Sequence, residues 1–306
     1  MSRSDGTSVL YDAPGPRSRR RMVIYSLLGT VFVLAILVLA VLRLQENGVF
    51  RARQWQPFTD PGVQRLLLRA VWATVKAALV AIILALVLGV LLAAGRLSDH
   101  RWVRVPATLV VEFFRAVPLV LLILFLFLGF SDQLSFLGRV FGSQVPGAFG
   151  ALVVGLMLYN GSVLAEVFRA GIAAVPRGQG EAAYALGMRK GQVMRIILVP
   201  QAARIMLPAI VSQCVVALKD TALGFIISYE ELLRQGRLIY TNFGNIVPTL
   251  FVIAAIYIAM CMALSSLASF LERRLRERGA RPVGLDPGTE MGGGGAAPVP
   301  VGAGAR

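Results

Sequence analysis

Histidine and cysteine are almost missing from this chain: its 306 residues hold one His and two Cys. His100 stands alone in a short basic stretch, which excludes a histidine-based zinc centre and a Ser-His-Asp type of triad. Cys214 and Cys261 both lie inside apolar runs, so no disulfide framework organises the fold. No G-x-x-x-x-G-K-[ST] occurs anywhere. The chain therefore has no P-loop with which to cradle ATP phosphates. Charge is scarce as well, at 15% of residues against 57% hydrophobic. Acidic residues are the scarcer sign, 16 Asp and Glu against 31 Lys and Arg, for a net charge of +15. In a soluble protein that excess would point to nucleic acid. In a chain this apolar it is the mark of basic cytoplasmic loops, and no nucleic-acid partner is expected.

What the chain has in abundance is apolar runs long enough to cross a bilayer, for which roughly 20 residues suffice. They predict spans at about 22–42, 66–94, 106–130, 148–168, 205–228 and 248–271. The runs are helix-length rather than short and alternating, so the expected fold is an all-α integral membrane bundle and not a barrel. Residues 1–21 read as a disordered cytoplasmic tail, 43–65 as an extracytoplasmic loop, 66–271 as the core, and 272–306 as a second cytoplasmic tail that is Gly/Pro/Ala-rich from about 282. Arg96, Arg101 and Arg104, the cations of the long loop at about 170–204, and Arg273, Arg274, Arg276 and Arg278 place both termini in the cytoplasm of a bacterial inner membrane. Arg43, Arg51, Arg53 and Arg65 oppose that vote and are outnumbered. Internal repeats with matching broken helices, the mark of many ion-driven transporters, are not found.

The loop at 170–204 is a polar island between two apolar runs. Pro176, Gly178 and Gly180 predict a break, after which Glu181 falls in the first turn of a new helix, where the helix dipole favours an anion. Ala182 and Ala183 are strong helix formers, and Gly187 allows a chain reversal that a bulkier residue would block. Val193, Ile196, Ile197 and Pro200 predict a second short amphipathic segment. Two short helices across the cytoplasmic mouth would present a face of small residues to a partner. An ordinary amphipathic surface loop would read in the same way.

Glu181, Ala182, Ala183, Gly187, Ile197 and Pro200 match EAA-x3-G-x9-I-x-L-P, with Val199 in place of the usual leucine. This resembles the signature loop of the membrane subunits of ATP-binding-cassette (ABC) importers. Glu112-Phe113-Phe114-Arg115-Ala116-Val117-Pro118 looks like the "EFFRGTP" segment of the polar amino-acid branch, with Ala-Val in place of Gly-Thr. The stretch from Tyr159 to Ile172, which holds Asn160, Glu166 and Arg169, resembles "NSGAYVAEIFRGGI", and Leu218-Lys219-Asp220-Thr221-Ala222-Leu223 resembles "LKDTSL". The four motifs stand in order across about residues 65–271. The resemblance implies a five-helix core of the type I importer permease, to which the first helix is an addition. It implies no cofactor in this chain, since ATP and Mg are bound by a cytoplasmic ABC ATPase dimer. It further implies a second permease subunit, related or identical, and an extracytoplasmic amino-acid-binding protein. The start Leu10-Tyr11-Asp12-Ala13-Pro14-Gly15-Pro16 and the extra helix also look like the glutamate-uptake permeases of actinobacteria.

Ionisable groups in a spanning helix are costly and mark a pathway or an ion pair. Glu112 with Arg115, and Glu166 with Arg169, are three apart and can pair along one helix face. Lys219 and Asp220 are neighbours, about 100° apart around a helix, and so need partners elsewhere. Arg115, Asn160, Glu166, Lys219 and Asp220 are the candidates to line a path for a polar amino acid, with Lys219 or Arg115 meeting an anionic one.

Overall fold

A computed structural model describes residues 15–279. Of the expected tails at 1–21 and 272–306, residues 1–14 and 280–306 lie outside the described residues. The described chain is helical from end to end: α1 Pro16–Glu46, α2 Ala52–Trp55, α3 Pro61–Arg96, α4 Arg101–Ala116, α5 Leu119–Val140, α6 Pro146–Ala173, α7 Arg177–Ala185, α8 Lys190–Gln192, α9 Val199–Asp220, α10 Leu232–Phe243 and α11 Ile246–Gly279. Six stretches are long and apolar enough to span a membrane. This is the all-α, six-span architecture expected from the apolar runs.

The spanning helices pack through small residues. The α3 face against its neighbours carries Ala70, Ala77, Ala78, Ala81, Ala85, Gly89 and Ala93, all buried, with the run from Ala78 to Ala93 spaced three or four apart. The partner face on α6 is also small. A Cβ on Gly89 would stand 2.9 Å from Leu164 Cβ and 3.1 Å from Gly161 O. Without a hydrophobic force between helices in lipid, such close backbone approach is what holds them together. α6 is the centre, with Phe149, Leu152, Val153 and Leu156 fully buried. α1 lies apart from that core and buries none of its apolar window. It begins with Pro16 at its first turn, where a missing N–H costs nothing. The expected disordered stretch to residue 21 is thus already helix from Pro16.

Three expectations need correction. The third span is not one helix over 106–130 but two, α4 and α5, with Val117 extended between them. Pro118 disfavours the helical region for the residue before it, and Pro106 sits inside α4 rather than at its start. α5 then continues to Val140 and absorbs most of the loop expected at 131–147. The second correction is at 229–247, expected as an external loop, which folds as α10 and packs Leu232 and Ile239 against Val63, Leu67 and Ala70 of α3 and Ile253 of α11. The third is at 43–65. Helix α1 runs to Glu46, and α2 continues into a 3-10 turn at Gln56–Thr59. Trp55 Nε1 donates to Val49 O at 2.8 Å, and Asn245 Nδ2 donates to Gln54 O at 2.9 Å. That segment is therefore pinned to the α10–α11 turn.

Candidate functional site

The signature loop begins one turn earlier than its residues predict. Arg177–Ala185 is continuous helix, so Gly178 and Gly180 are inside it and Glu181 lies in its second turn, exposed. The N-cap is Pro176, which fixes its own φ and needs no N–H partner. At the other end Gly187 N donates to Tyr184 O at 2.9 Å and Met188 N to Ala183 O at 3.2 Å. These two bonds with a residue in the left-handed region form a Schellman cap. Gly187 has φ +78°, and no atom lies within 4 Å of where its Cβ would stand. The turn therefore requires glycine for its backbone and not for space within this chain. Ala183 is buried, while Ala182 is exposed and Leu186 at the tip is 83% exposed. Tyr184, two residues back on the same turn, is also exposed.

The second segment is not a separate short helix, as the sequence suggested. α8 passes through a π-helical stretch at Val193–Leu198 straight into α9. Pro200 falls at the second position of α9, and Ile197 is half-buried on the π stretch. The loop is tied to the α3–α4 turn by Lys190 Nζ, which donates to Leu97 O at 3.1 Å and pairs with Asp99. That ammonium holds the Asp99 carboxyl below the usual carboxylate range.

Near the same end of the bundle, five charges on three helices form one network. Arg96 of α3 binds Glu166 of α6 at 2.7 Å and Glu112 of α4 at 3.5 Å. Arg169 donates to Glu166 at 3.1 Å through Nε. Arg115 stands 3.7 Å from Glu112. Two of the predicted path residues, Arg115 and Glu166, thus belong to an ion network. The sequence marks Arg96 only as a cation of the short α3–α4 loop, though its side chain is the least exposed of the five, at 10%. It closes the last turn of α3, where any cation suits the helix dipole, so its position alone carried no signal. Arg96→Gln is expected to cost about 1–2 kcal/mol, because both carboxylates keep one other arginine and are partly solvated. Thermal unfolding of the purified chain in detergent measures this, and a loss close to zero would assign the network to the surface.

Asn160, 1% exposed, donates to Leu156 O at 3.0 Å and accepts from Gln213 Nε2 at 2.6 Å. It joins α6 to α9. Lys219, exposed, and Asp220, half-buried, close α9 and take no part in the ion pairs among the described residues. The five predicted path residues are therefore not brought to one place by direct contacts.

The carboxylate that sequence reasoning missed is Glu231, which is 0% exposed. It caps α10, accepting from Leu233 N and Arg234 N at 2.7 Å each, and also accepts from Tyr257 Oη of α11 at 2.8 Å. Leu232 N donates to Thr74 Oγ1 of α3 at 3.1 Å, and Tyr229 Oη to Ala73 O at 2.9 Å. One corner thus locks α3, α10 and α11. Glutamate is not among the preferred N-cap residues, so the residue type was no guide. With no ion-pair partner among the described residues, burial pushes the Glu231 carboxyl up to about 7 despite its three donors. Its ordinary value is about 4.3. Between those pH values the folded chain holds a proton that the unfolded chain has released, so stability falls as pH rises through this window and levels off above it, a change on the order of 3 kcal/mol. Unfolding in detergent between pH 5 and 8 is expected to show this slope, and Glu231→Gln to flatten it.

Residues 85–277 match the family model for binding-protein-dependent transport system inner membrane components. The chain is 44% identical over 239 residues to the glutamate transport system permease protein GluD of Corynebacterium glutamicum, covering 78% of this chain and 85% of that one. It is 31% identical over 210 residues to the glutamate/aspartate import permease protein GltK of Escherichia coli, covering 68% of this chain and 92% of that one. Among solved structures, an amino acid ABC transporter with histidines is similar at a TM-score of 0.61 and 32% identity, over 69% of this chain and 94% of that one.

Proposed function

The chain belongs to the family of inner membrane components of binding-protein-dependent transport systems, and on that premise we propose that it is the permease subunit of an ABC importer that carries glutamate into the cell. The observation that carries the reading is the turn at Gly187, a left-handed cap in the signature loop with Tyr184 and Leu186 exposed beside it. Identity of 44% to a glutamate permease supports the substrate. Glu181, Ala182, Gly187 and Pro200 belong to the exposed surface gripped by a cytoplasmic ATPase dimer, which binds the ATP and Mg, while buried Ala183 and half-buried Ile197 pack the loop behind it. α7 is the lever, and the ties from Lys190 to Leu97 and Asp99 pass its movement to the α3–α4 turn. ATP binding closes the ATPase pair, reorients the bundle and opens the far mouth to an extracytoplasmic binding protein. Hydrolysis resets it. A second permease subunit completes the path.

The end that carries the signature loop is the cytoplasmic one in this reading. Cations at the two ends of the bundle nearly balance, and the arginines at 17, 19, 20 and 21 and at 273, 274, 276 and 278 decide the orientation. Lys219 and Asp220 line the path, and buried Asn160 ties α6 to α9. Arg115 and Glu166 brace the inner ends of the helices.

The test is uptake of labelled glutamate, glutamine and arginine in a strain lacking the chain, with and without the chain restored. Loss and recovery of glutamate uptake, dependent on ATP and not on the proton gradient, is the expected result. Recovery of arginine or glutamine uptake alone keeps the importer and discards the acidic substrate. Uptake that follows the ion gradient and ignores ATP overturns the reading.

A further inference from the structure

At the end of the bundle opposite the signature loop, a cavity of about 870 Å³ lies between α3, the α5–α6 turn and the corner before α10. Its α3 wall carries Arg69 and Lys76, two turns apart on one helix face. Its opposite wall carries Glu230 and Gln235. Neither cation makes an ion pair among the described residues, and neither does Glu230.

The two walls have opposite needs. Lys76 has three N–H donors, two of which go to Phe141 O at 3.0 Å and Gly142 O at 3.3 Å. One remains. Arg69 makes no hydrogen bond with the rest of the described chain, so its fork of donors is unspent. Across the cavity, Gln235 is only 8% exposed, and its Oε1 is buried with no hydrogen-bond partner. An acceptor left in that state costs about 1–3 kcal/mol, which a donor arriving from outside the chain would recover. One wall thus lacks an anion, and the other lacks an N–H donor beside a carboxylate.

We propose that this cavity binds a zwitterion, its anionic group toward Arg69 and Lys76 and its primary ammonium toward Glu230 and Gln235. An amino acid has that chemistry, and so does the phosphoethanolamine headgroup of a lipid. The volume admits either. The amino-acid arm rests on the functional reading above and would make the cavity a holding site at the outer mouth, before the path through the bundle. The lipid arm does not depend on that reading.

The experiment uses the assembled transporter in nanodiscs of phosphatidylglycerol with and without phosphatidylethanolamine, comparing wild type with Arg69→Gln and Glu230→Gln. Arg69 is exposed and holds nothing in the fold, so its variant keeps the bundle intact. Glutamate uptake and the phosphatidylethanolamine retained by the purified complex are both read. A rise of tenfold or more in the half-saturating glutamate concentration, with maximal rate and basal ATP hydrolysis unchanged, places the amino acid in the site. Loss of retained phosphatidylethanolamine with unchanged half-saturation places the lipid there. Variants that match wild type in both readouts overturn the site. A wild-type complex that moves no amino acid defeats the functional reading instead, and lipid retention still tests the cavity.

Discussion

Gly187→Asp is expected to reduce uptake at least tenfold while leaving the chain folded and in the membrane at wild-type level. The two halves of that result have separate causes. Within the chain, the substitution meets no atom, since nothing lies within 4 Å of the new Cβ position. The cost is that of a left-handed backbone for a residue with a Cβ, about 1 kcal/mol, and Asp tolerates that region better than most. A chain of ordinary stability survives it. The empty space is the surface proposed for the ATPase, where an added carboxylate would sit beside the exposed Leu186 and Tyr184. Desolvating an unpaired charge there would cost several kcal/mol of binding. Co-purification of the ATPase and uptake of labelled substrate read the effect. Normal uptake by this variant at normal expression would remove the docking role from the turn.

Gly150→Val should do the reverse and prevent accumulation of folded chain. A Cβ at Gly150 would stand 2.2 Å from Leu134 O and 2.8 Å from Leu134 C, both backbone atoms of α5 that no rotamer change can move. Gly138 is of the same kind, its Cβ position falling on the Pro146 backbone, whereas a Cβ on Gly155 would meet the Ile123 side chain, Cγ1 at 2.7 Å. α5 and α6 would have to part along the whole hairpin, which exposes the buried Phe149 and Leu152. Overpacking of this sort costs about 1–3 kcal/mol even where side chains can give, and more where they cannot. Gly129→Ala, in α5 with nothing within 4 Å, is the control. It should be neutral or gain up to about 1 kcal/mol from helix propensity. Size-exclusion profiles of the two variants in mild detergent separate the outcomes, and a monodisperse Gly150→Val would refute the packing argument.

The sequence by itself determined the class of the protein, the number of spans and the position of the signature turn. Each depends on properties confined to a window. A run of apolar residues spans because of its own length and hydropathy, and Gly187 takes φ +78° because of the turn its own neighbours form. Windows failed where a short-range signal was overridden by a long one. The largely apolar run at 106–130, read as one span in spite of Glu112 and Arg115, hid the break that Pro118 forces at Val117. The polarity of 229–247 hid α10, whose apolar residues have partners only on α3 and α11. What the tertiary structure alone decided is which buried polar groups meet. Glu112 and Arg115 pair within one helix, as their spacing allows. Arg96 reaches Glu166 across 70 residues and Tyr257 reaches Glu231 across 26 because of how the helices are rotated and how closely they approach. That rotation is set by glycine-to-backbone contacts such as Gly89 on Gly161, and those depend on atoms of two helices at once, which the residues of either helix taken alone do not specify.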